Sequence, residues 1–374
     1  MSEDPDEGML SWDESVFRDE HVFEIDYVPE TFDHRETQLE SLKYALRPAV
    51  RGSRPLNTMT RGPPGTGKTT AVQKLLTELD SQRGVQTVRV NCQVDSTRYG
   101  VFSRIFQHIF EYEPPSSGIS FKKLFGQIAD QLVDAEDVLV VALDDINYLI
   151  YENEASDTLY SLLRAHEAQA GAKVGVIVIS SDLSVELIDE LDNRVQSVFR
   201  PEEVYFSKYD ATEIIDILQQ RASRGFHDGV LGSPELDRVT ELTAADGDLR
   251  VGIDLLRRAG LQAEMRGSRT IAIEDIDTAY EKSKYVHLSR RLQGLSQTES
   301  ALVEVVAADS GATAGEIYEL FHAETGLGYT RYSEVVNKLD DLGIIDASYT
   351  DIEGRGRTRS MSLAYDADAV MERL

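Results

Sequence analysis

The sequence contains one cysteine and no long apolar run, and both shortages exclude classes of protein. The single thiol, Cys92, cannot form an internal disulfide, and its place at the end of the stretch 88–92 predicts a buried side chain rather than a nucleophile. No stretch of about 18 apolar residues is present, so we expect no membrane span. The acidic first residues lack the basic segment of a signal peptide. We therefore expect a soluble, cytoplasmic protein with no membrane partner.

Basic residues are also scarce, because 66 Asp and Glu stand against 38 Lys and Arg and give a formal net charge of −28. An acidic tail is one explanation, but the acidic residues are spread along the whole chain. A surface adapted to a high-salt cytosol is the other explanation, and the dispersed charge favours it, since carboxylates keep a protein hydrated there. The length of 374 residues and the hydrophobic content of 41% predict two or three globular domains.

The stretch 62–69, GPPGTGKT, matches the phosphate-binding P-loop pattern G-x-x-x-x-G-K-[ST] at every fixed position. Gly65 and Gly67 allow a sharp turn and a close approach of backbone N–H groups to phosphate oxygens. Lys68 supplies a charge for the β- and γ-phosphates, and Thr69 offers a hydroxyl to Mg²⁺. The predicted nucleotide-binding residues of this stretch are Gly65, Thr66, Gly67, Lys68, Thr69 and Thr70.

The alternative to a P-loop is a Gly/Pro-rich turn before a helix. A strand before the loop and a helix after it would favour the P-loop. The residues after Lys68 predict a helix, whose positive N-terminal end would face the phosphates. The stretch 56–60 is only a modest strand candidate.

A second informative stretch is the continuous apolar run 138–143, which ends in Asp144 and Asp145. A strand that is covered on both faces has this pattern. Asp144, 76 residues after Lys68, is expected to hold Mg²⁺ through water, and Asp145 to orient the attacking water. The alternative is an ordinary strand end, since strand ends are often acidic.

Further strands are predicted at 85–90, 173–182 and 204–206, which together indicate a doubly wound α/β domain with a parallel sheet. If the strand 173–182 lies beside the strand that ends in Asp144, Ser181 comes near the γ-phosphate. The alternative for Ser181 is the N-cap of the following helix. Arg194 lies at a turn after a helix.

Outside these strands the sequence pattern mostly predicts helices. An extended stretch at 22–28 stops at Pro29, and a helix runs from His34 to Leu46. Two helices between 97 and 132 are split by the Pro- and Gly-containing stretch 114–118. From about 211 to 286 the pattern is wholly helical and predicts a small helical domain.

The last part of the chain predicts a winged helix, a helix-turn-helix variant that places its third helix in the major groove of DNA. Its helices are expected at 297–308, 314–325 and 330–342, followed by a hairpin with a basic tip. The alternative for the basic tip is a solvated turn, but clustered arginines in so acidic a chain favour phosphate contact. The predicted DNA-binding residues are Arg331, Tyr332, Ser333, Arg355, Arg357 and Arg359.

With these motifs in place, the chain from about 17 to 363 resembles the archaeal initiators of DNA replication. These initiators are related to the largest origin-recognition subunit and to the helicase-loading factor of eukaryotes. Besides the P-loop, the matching stretches are 16–20, 27–30, 34–36, 191–195, 247–250 and 255–260. The resemblance implies an AAA+ ATPase core at 21–206 after a mobile acidic segment 1–20, a helical lid at 207–290 and a winged-helix domain at 291–374. It also implies that the two helices between 97 and 132 touch DNA.

The resemblance also implies roles for single residues. Arg250 matches the lid arginine that contacts the nucleotide phosphates, and Tyr209 and Arg221 match positions that contact the nucleotide. Arg194 matches the arginine that is offered to the nucleotide of a neighbouring subunit, although a surface salt bridge is the alternative.

Two positions depart from the pattern of this family. Asp145 stands where the family commonly has glutamate, and Ser181 where it commonly has asparagine. Both differences affect hydrolysis more than binding, because a shorter carboxylate reaches the attacking water less well. We predict a weak ATPase that uses hydrolysis as a slow switch.

These observations predict a replication initiator that binds ATP or ADP with Mg²⁺ and recognises double-stranded origin DNA. Its expected partners are the replicative helicase and other initiator subunits, and its expected place is the nucleoid. The alternative is a P-loop ATPase that acts as a winged-helix transcription or partition regulator. A third possibility is a paralogue that regulates rather than initiates.

Overall fold

A computed structural model describes residues 15–24, 26–115, 119–181, 187–352 and 356–374. The chain forms two compact units. The sheet unit comprises Ile25–Ile217 with Gly247–Leu249, and the helical unit comprises the residues up to Glu24, Leu218–Asp246 and Arg250–Leu374. Among the described residues, no helix combines the length and the hydropathy that a membrane crossing requires.

The sheet unit is built on five parallel strands in the order β2-β3-β4-β1-β5. The strands are β1 (Thr58–Arg61), β2 (Val85–Asn91), β3 (Val138–Asp144), β4 (Lys173–Ser180) and β5 (Glu202–Tyr205). The predicted parallel sheet is therefore confirmed, and all five strands lie within a few residues of the predicted positions. The carboxyl ends of β1, β3 and β4 meet at one edge, because β4 lies between the other two.

Strand β3 shows why its sequence is an unbroken apolar run. All seven of its residues are buried. Leu139, Val141 and Leu143 belong to the core on one face of the sheet, whereas Val140 and Ala142 belong to the core on the other face. Helices therefore cover the sheet on both sides, as a parallel sheet requires.

The helices of the sheet unit are α1 (Glu36–Val50), α2 (Lys68–Asp80), α3 (Arg98–Phe110), α4 (Phe121–Asp134), α5 (Asn147–Tyr151), α6 (Ala155–Leu163), α7 (Ala165–Ala168) and α8 (Asn193–Gln196). The predicted split between α3 and α4 is confirmed. Side-chain caps begin both helices, since Thr97 accepts from the Gly100 N–H and Ser120 accepts from the Lys123 N–H. Helix α9 (Ala211–Gly225) begins in the sheet unit and ends in the helical unit.

The helical unit contains α10 (Ser233–Asp246), α11 (Leu249–Met265) and α12 (Ile273–Gln293), which follow α9 as the predicted helical region. Its winged helix consists of α13 (Gln297–Ala308), α14 (Ala314–Thr325), α15 (Tyr329–Asp341), the antiparallel strands β6 (Ile345–Ile352) and β7 (Gly356–Leu363), and α16 (Ala367–Met371). Three helices followed by a hairpin is the predicted order, and both strands are longer than expected.

The described N-terminal residues 15–24 differ from the prediction. They pack against the helical unit rather than forming a mobile lead: Phe17 is 8% exposed and its ring contacts those of Phe23 and Phe226. The prediction of an extended stretch from residue 22 is wrong at its start, because Glu20–Phe23 is a 3₁₀ helix. Val22 and Phe23 are both buried, and a turn places neighbouring side chains in one core, whereas an extended chain points them to opposite sides. The rest of the predicted acidic lead, residues 1–14, lies outside the described residues.

Candidate functional site

The P-loop joins the end of β1 to the start of α2. Gly65 and Gly67 have φ angles of 70° and 88°, in the left-handed region that favours glycine. Lys68 begins α2 and is buried, and its Nζ donates to the carbonyls of Gly62 at 2.6 Å and Pro63 at 2.7 Å. The loop therefore curls around the lysine and presents the N-terminus of a 13-residue helix, which is a site for an anion.

Two glycines of the loop are closely approached by other segments. A β-carbon at Gly65 would collide with the carboxylate of Asp248, in the short Gly247–Leu249 stretch of the sheet unit. A β-carbon at Gly67 would lie 2.9 Å from the Tyr209 hydroxyl and 2.9 Å from the ring of Phe32. The glycines are therefore needed for packing as well as for the turn. Tyr209, predicted to contact the nucleotide, lies at the P-loop.

Asp144 is 6% exposed at the end of β3, and its Oδ1 accepts from the Thr69 hydroxyl at 3.1 Å. Its backbone carbonyl accepts from the Cys92 N–H at 2.9 Å, which ties the ends of β2 and β3 together. The two predicted metal ligands are thus adjacent. Their hydroxyl and carboxylate oxygens are hard donors, and such a set fits Mg²⁺. Cys92 itself is buried as predicted, and this burial and the nearby Asp144 raise the pKa of its thiol.

Asp145 and Ser181 follow the neighbouring strands β3 and β4. Asp145 has a φ of 54°, a left-handed conformation that aspartate adopts more readily than most residues. The Ile146 N–H donates to the carbonyl of Ile179 at 3.1 Å, which fixes this turn against β4. The prediction that β4 lies beside the strand of Asp144 is confirmed, so Ser181 leaves the sheet at the same edge as Asp144.

Arg35, to which the sequence analysis gave no role, is the most buried charged side chain at this site, with 2% exposed. Its Nε donates to the carbonyl of Thr66 at 3.2 Å, and its Nη2 donates to the carbonyl of Ser207 at 2.7 Å. Its guanidinium stacks 3.7 Å from the ring centre of Tyr209. Burial raises the pKa of Tyr209 to about 12, so the phenol is neutral at physiological pH. Arg35 therefore fixes the positions of the P-loop, the residues after β5 and Tyr209 relative to one another.

Arg89 was also missed. It lies on β2, and its Nη1 is 3.1 Å from Oδ2 of Asp144. The carboxylate of Asp144 is therefore shared between the hydroxyl of Thr69 and the guanidinium of Arg89. No motif signals such a contact, since it depends on the register that places β2 beside β3.

Residues 52–188 match the family described as an AAA domain, and residues 215–281 match the Cdc6 AAA+ ATPase-type lid domain. The chain is 71% identical over 375 residues to the ORC1-type DNA replication protein 3 of Haloarcula marismortui, with 100% of each chain covered. It is 67% identical over 374 residues to the ORC1-type DNA replication protein 6 of Halobacterium salinarum, again with 100% of each covered. A solved structure of the Aeropyrum pernix ORC1 protein in complex with DNA is similar, with a TM-score of 0.69 and 29% identity over 97% of each chain.

The chain belongs to the ORC1-type DNA replication proteins. The predicted resemblance to archaeal replication initiators and the AAA+ fold are therefore confirmed. The P-loop is that of a nucleotide-binding AAA domain. The alternative, a transcription or partition regulator, is not favoured by relatives of this identity.

In this ORC1-type protein the predicted trans-acting arginine, Arg194, is 59% exposed at its side chain. It pairs with Asp192 at 2.5 Å and with Asp157 at 3.3 Å, and it lies 5.1 Å from the ring centre of Tyr160. These contacts fix the guanidinium at the surface. Its role toward a neighbouring subunit stays a prediction, as does the alternative of a surface salt bridge.

Arg221 and Arg250, the other predicted nucleotide contacts, belong to the helical unit of the ORC1-type protein. Arg221 is 9% exposed, and its Nη1 donates to the carbonyl of Val22 at 2.6 Å. Arg221 therefore helps to anchor the N-terminal segment on α9. The nucleotide contacts of both arginines stay predictions.

The predicted DNA-binding residues differ in their surroundings. Tyr332 was wrongly assigned, because it is 2% exposed and its hydroxyl donates to the carbonyl of Ala314 at 2.7 Å. It belongs to the core that supports α15. Arg331 is exposed beside Glu334, 3.0 Å away, and Ser333 is partly exposed. The Arg359 guanidinium donates to the Asn337 side chain at 3.1 Å. Arg355 and the side chain of Arg357 lie outside what the structure describes.

Arg35 offers a test of the site. Replacement Arg35→Lys keeps the charge but loses the planar fork and the stack on Tyr209. We expect the free energy of unfolding to fall by about 2–3 kcal/mol, because buried carbonyls lose their donors. We expect ADP to bind about tenfold more weakly, as the P-loop loses its support. Denaturant unfolding and titration calorimetry measure the two effects. The control is Arg47→Lys, an exposed position of α1, the helix that begins directly after Arg35. It should change neither the free energy of unfolding nor the ADP affinity.

If the free energy of unfolding and the ADP affinity of Arg35→Lys both equal those of the wild type, the guanidinium does not support the P-loop.

Proposed function

We propose that this ORC1-type protein is a replication initiator whose nucleotide state, ATP or ADP with Mg²⁺, controls its hold on origin DNA. In this proposal it binds double-stranded origin DNA and helps to recruit or load the replicative helicase, together with other initiator subunits. The observation that carries the proposal is the meeting of the P-loop with Asp144 in a chain that also has a winged helix. Membership of the ORC1-type family supports it.

The nucleotide site works through few residues in this proposal. The N-terminus of α2 and Lys68 attract the phosphates, and Lys68 exchanges the carbonyls of Gly62 and Pro63 for phosphate oxygens. Thr69 and Asp144 would hold Mg²⁺, which would neutralise phosphate charge. Asp145 and Ser181 orient the attacking water poorly, because one carboxylate is short and the other side chain lacks an amide. Hydrolysis is therefore slow, and the bound nucleotide acts as a switch.

DNA binding is proposed for the winged helix. The solved relative from Aeropyrum pernix is an ORC1 protein in complex with DNA. In this chain, α15 presents Arg331 and Ser333 outside its core, and Arg359 lies on β7 beside α15. With Tyr332 in the core, Thr330, Arg331 and Ser333 are the proposed determinants of sequence preference.

The net charge of −28 opposes binding to a polyanion. High salt reconciles the two, since the Debye length falls to about 3 Å at 1 M and distant carboxylates are screened. The identity to proteins of Haloarcula and Halobacterium supports a high-salt cytosol. Salt also weakens phosphate contacts, so binding in such a cytosol must rely on few phosphates, on base edges and on shape.

The proposed function is tested by sequencing the DNA that is bound to this protein in its own cells. We expect enrichment at replication origins, because an initiator must discriminate repeats there from the bulk of the genome. The Lys68→Ala variant serves as a control for dependence on nucleotide. Enrichment at promoters instead of origins would favour the regulator.

The wing is tested by the double variant Arg355→Ala with Arg357→Ala. We expect origin DNA binding to fall below detection at high KCl. Where binding is measurable at lower salt, the slope of log affinity against log salt should be shallower by about two, one unit per lost phosphate contact. The control variant, Arg47→Ala with Arg51→Ala, removes the same charge from exposed positions of the sheet unit. Equal binding by the wild type and the wing variant would exclude the wing as a DNA contact.

The hydrolysis step is tested by Asp145→Glu. A glutamate fits the left-handed backbone, since Glu111 and Glu136 adopt φ angles of 59° and 58° in this protein. We expect the wild type to turn over well below the usual range of about 1–10³ s⁻¹. The longer carboxylate should raise the single-turnover rate at least about tenfold. Asp145→Asn should lower that rate without changing ADP affinity. A wild-type rate within the usual range, or a slower Asp145→Glu, would contradict the argument from side-chain length.

A further inference from the structure

The carboxylate of Asp144 already has a cation beside it. Its Oδ1 accepts from the Thr69 hydroxyl at 3.1 Å, and its Oδ2 is 3.1 Å from Nη1 of Arg89. The side chain of Asp144 is 9% exposed, whereas that of Arg89 is 40% exposed. A buried carboxylate requires a positive partner, because its desolvation is costly. Arg89 supplies that partner from the neighbouring strand.

A metal ion and a guanidinium are both cations, and the negative charge of this carboxylate attracts both. Mg²⁺ at Thr69 would be attracted by the same negative charge of Asp144 that Arg89 neutralises in its absence. Two cations that approach one carboxylate also repel each other. The contact between Arg89 and Asp144 is therefore expected to weaken when the metal binds.

A cavity beside Arg89 offers the side chain another position. The cavity has a volume of about 410 Å³ and lies between α2, β2 and α3. Asp80 lines it and provides a carboxylate, and Thr87 lines it beside Asp80, whose Oδ1 is 3.3 Å from the Thr87 hydroxyl. Arg104 of α3 lines the same cavity but pairs with Asp95 at 3.1 Å. A long, partly exposed arginine can move between such positions at low cost.

We propose that Arg89 is a positioning residue that competes with Mg²⁺ for Asp144. Arg89 holds the carboxylate in place while the metal is absent, and it moves toward the cavity when Mg²⁺ binds. This competition sets the Mg²⁺ concentration at which nucleotide binding becomes tight. The inference rests on the proposed binding of nucleotide with Mg²⁺.

The test is the Mg²⁺ dependence of ADP affinity, measured by titration calorimetry at constant KCl. Replacement Arg89→Gln keeps a hydrogen-bond donor but removes the charge. We expect the midpoint Mg²⁺ concentration to fall about three- to tenfold, the effect of losing one charge-assisted contact with a partly exposed partner. ADP affinity in EDTA is measured for each variant as well, because a general loosening of the site would weaken binding with and without Mg²⁺, whereas the proposed competition lowers the Mg²⁺ midpoint.

Two further variants give the result its specificity. Arg89→Lys keeps a cation, so its midpoint should return toward that of the wild type. Arg104→Gln removes a charge from the same cavity but not from Asp144, so its midpoint should equal that of the wild type. Native circular dichroism of each variant shows that it is folded, and the neutral variant Arg89→Met carries the comparison if Arg89→Gln does not fold.

An unchanged or higher midpoint for Arg89→Gln would overturn the inference, as would an equal shift for Arg104→Gln. These outcomes differ from a failure of the proposed function. If the wild-type protein binds no ADP, or if Lys68→Ala binds it equally well, the nucleotide switch itself is wrong.

Discussion

The nucleotide site depends on one buried guanidinium. Burying a charge is costly unless its donors are satisfied, and the donors of Arg35 are satisfied by backbone carbonyls of separate segments. Thr66 lies in the P-loop and Ser207 lies beyond β5, 172 residues away from Arg35 in sequence. The stack on Tyr209 uses the remaining face of the group. The hydrogen bonds of Arg35 therefore fix these segments relative to one another. The shape of the P-loop depends on this contact as well as on its own glycines.

Much of the fold was predictable because the signals are local. The pattern of the P-loop and the apolar run before Asp144 each identify an element without knowledge of its neighbours. The alternation of apolar strands with helices then predicts the parallel sheet. The contacts of Arg35 and Arg89 were not predictable. They depend on strand order and register, which bring together residues that no spacing rule connects. Asp248 was seen only as part of a family motif, and its approach to Gly65 needed the structure.

Two wrong assignments had a signal that could have corrected them. Tyr332 is followed by buried residues at helical spacing, Val335, Val336 and Leu339, so its place on the apolar face of α15 was readable from periodicity. Adjacent apolar residues at 22 and 23 indicated a turn against a core rather than a half-exposed strand.

The excess of acidic residues also determines the surroundings of the basic side chains. Several exposed or half-buried arginines are already paired with carboxylates: Arg194 with Asp192, Arg238 with Glu241, Arg258 with Asp254 and Arg331 with Glu334. Exposed pairs of this kind are weak and are screened by salt. Any anionic partner must therefore compete with the protein's own carboxylates, and salt that weakens the new contact also weakens the old one.

The path of the chain between the two units has a consequence for how the protein can be divided. The chain passes from one unit to the other after Glu24, Ile217, Asp246 and Leu249. The short Gly247–Leu249 stretch therefore belongs to the sheet unit although both of its flanks belong to the helical unit. A single cut after Ile217 or Asp246 leaves each fragment with parts of both units, and a cut after Glu24 or Leu249 leaves one fragment with only a part of the helical unit. Neither unit is a contiguous piece of sequence, so neither can be transferred to another protein as a single segment.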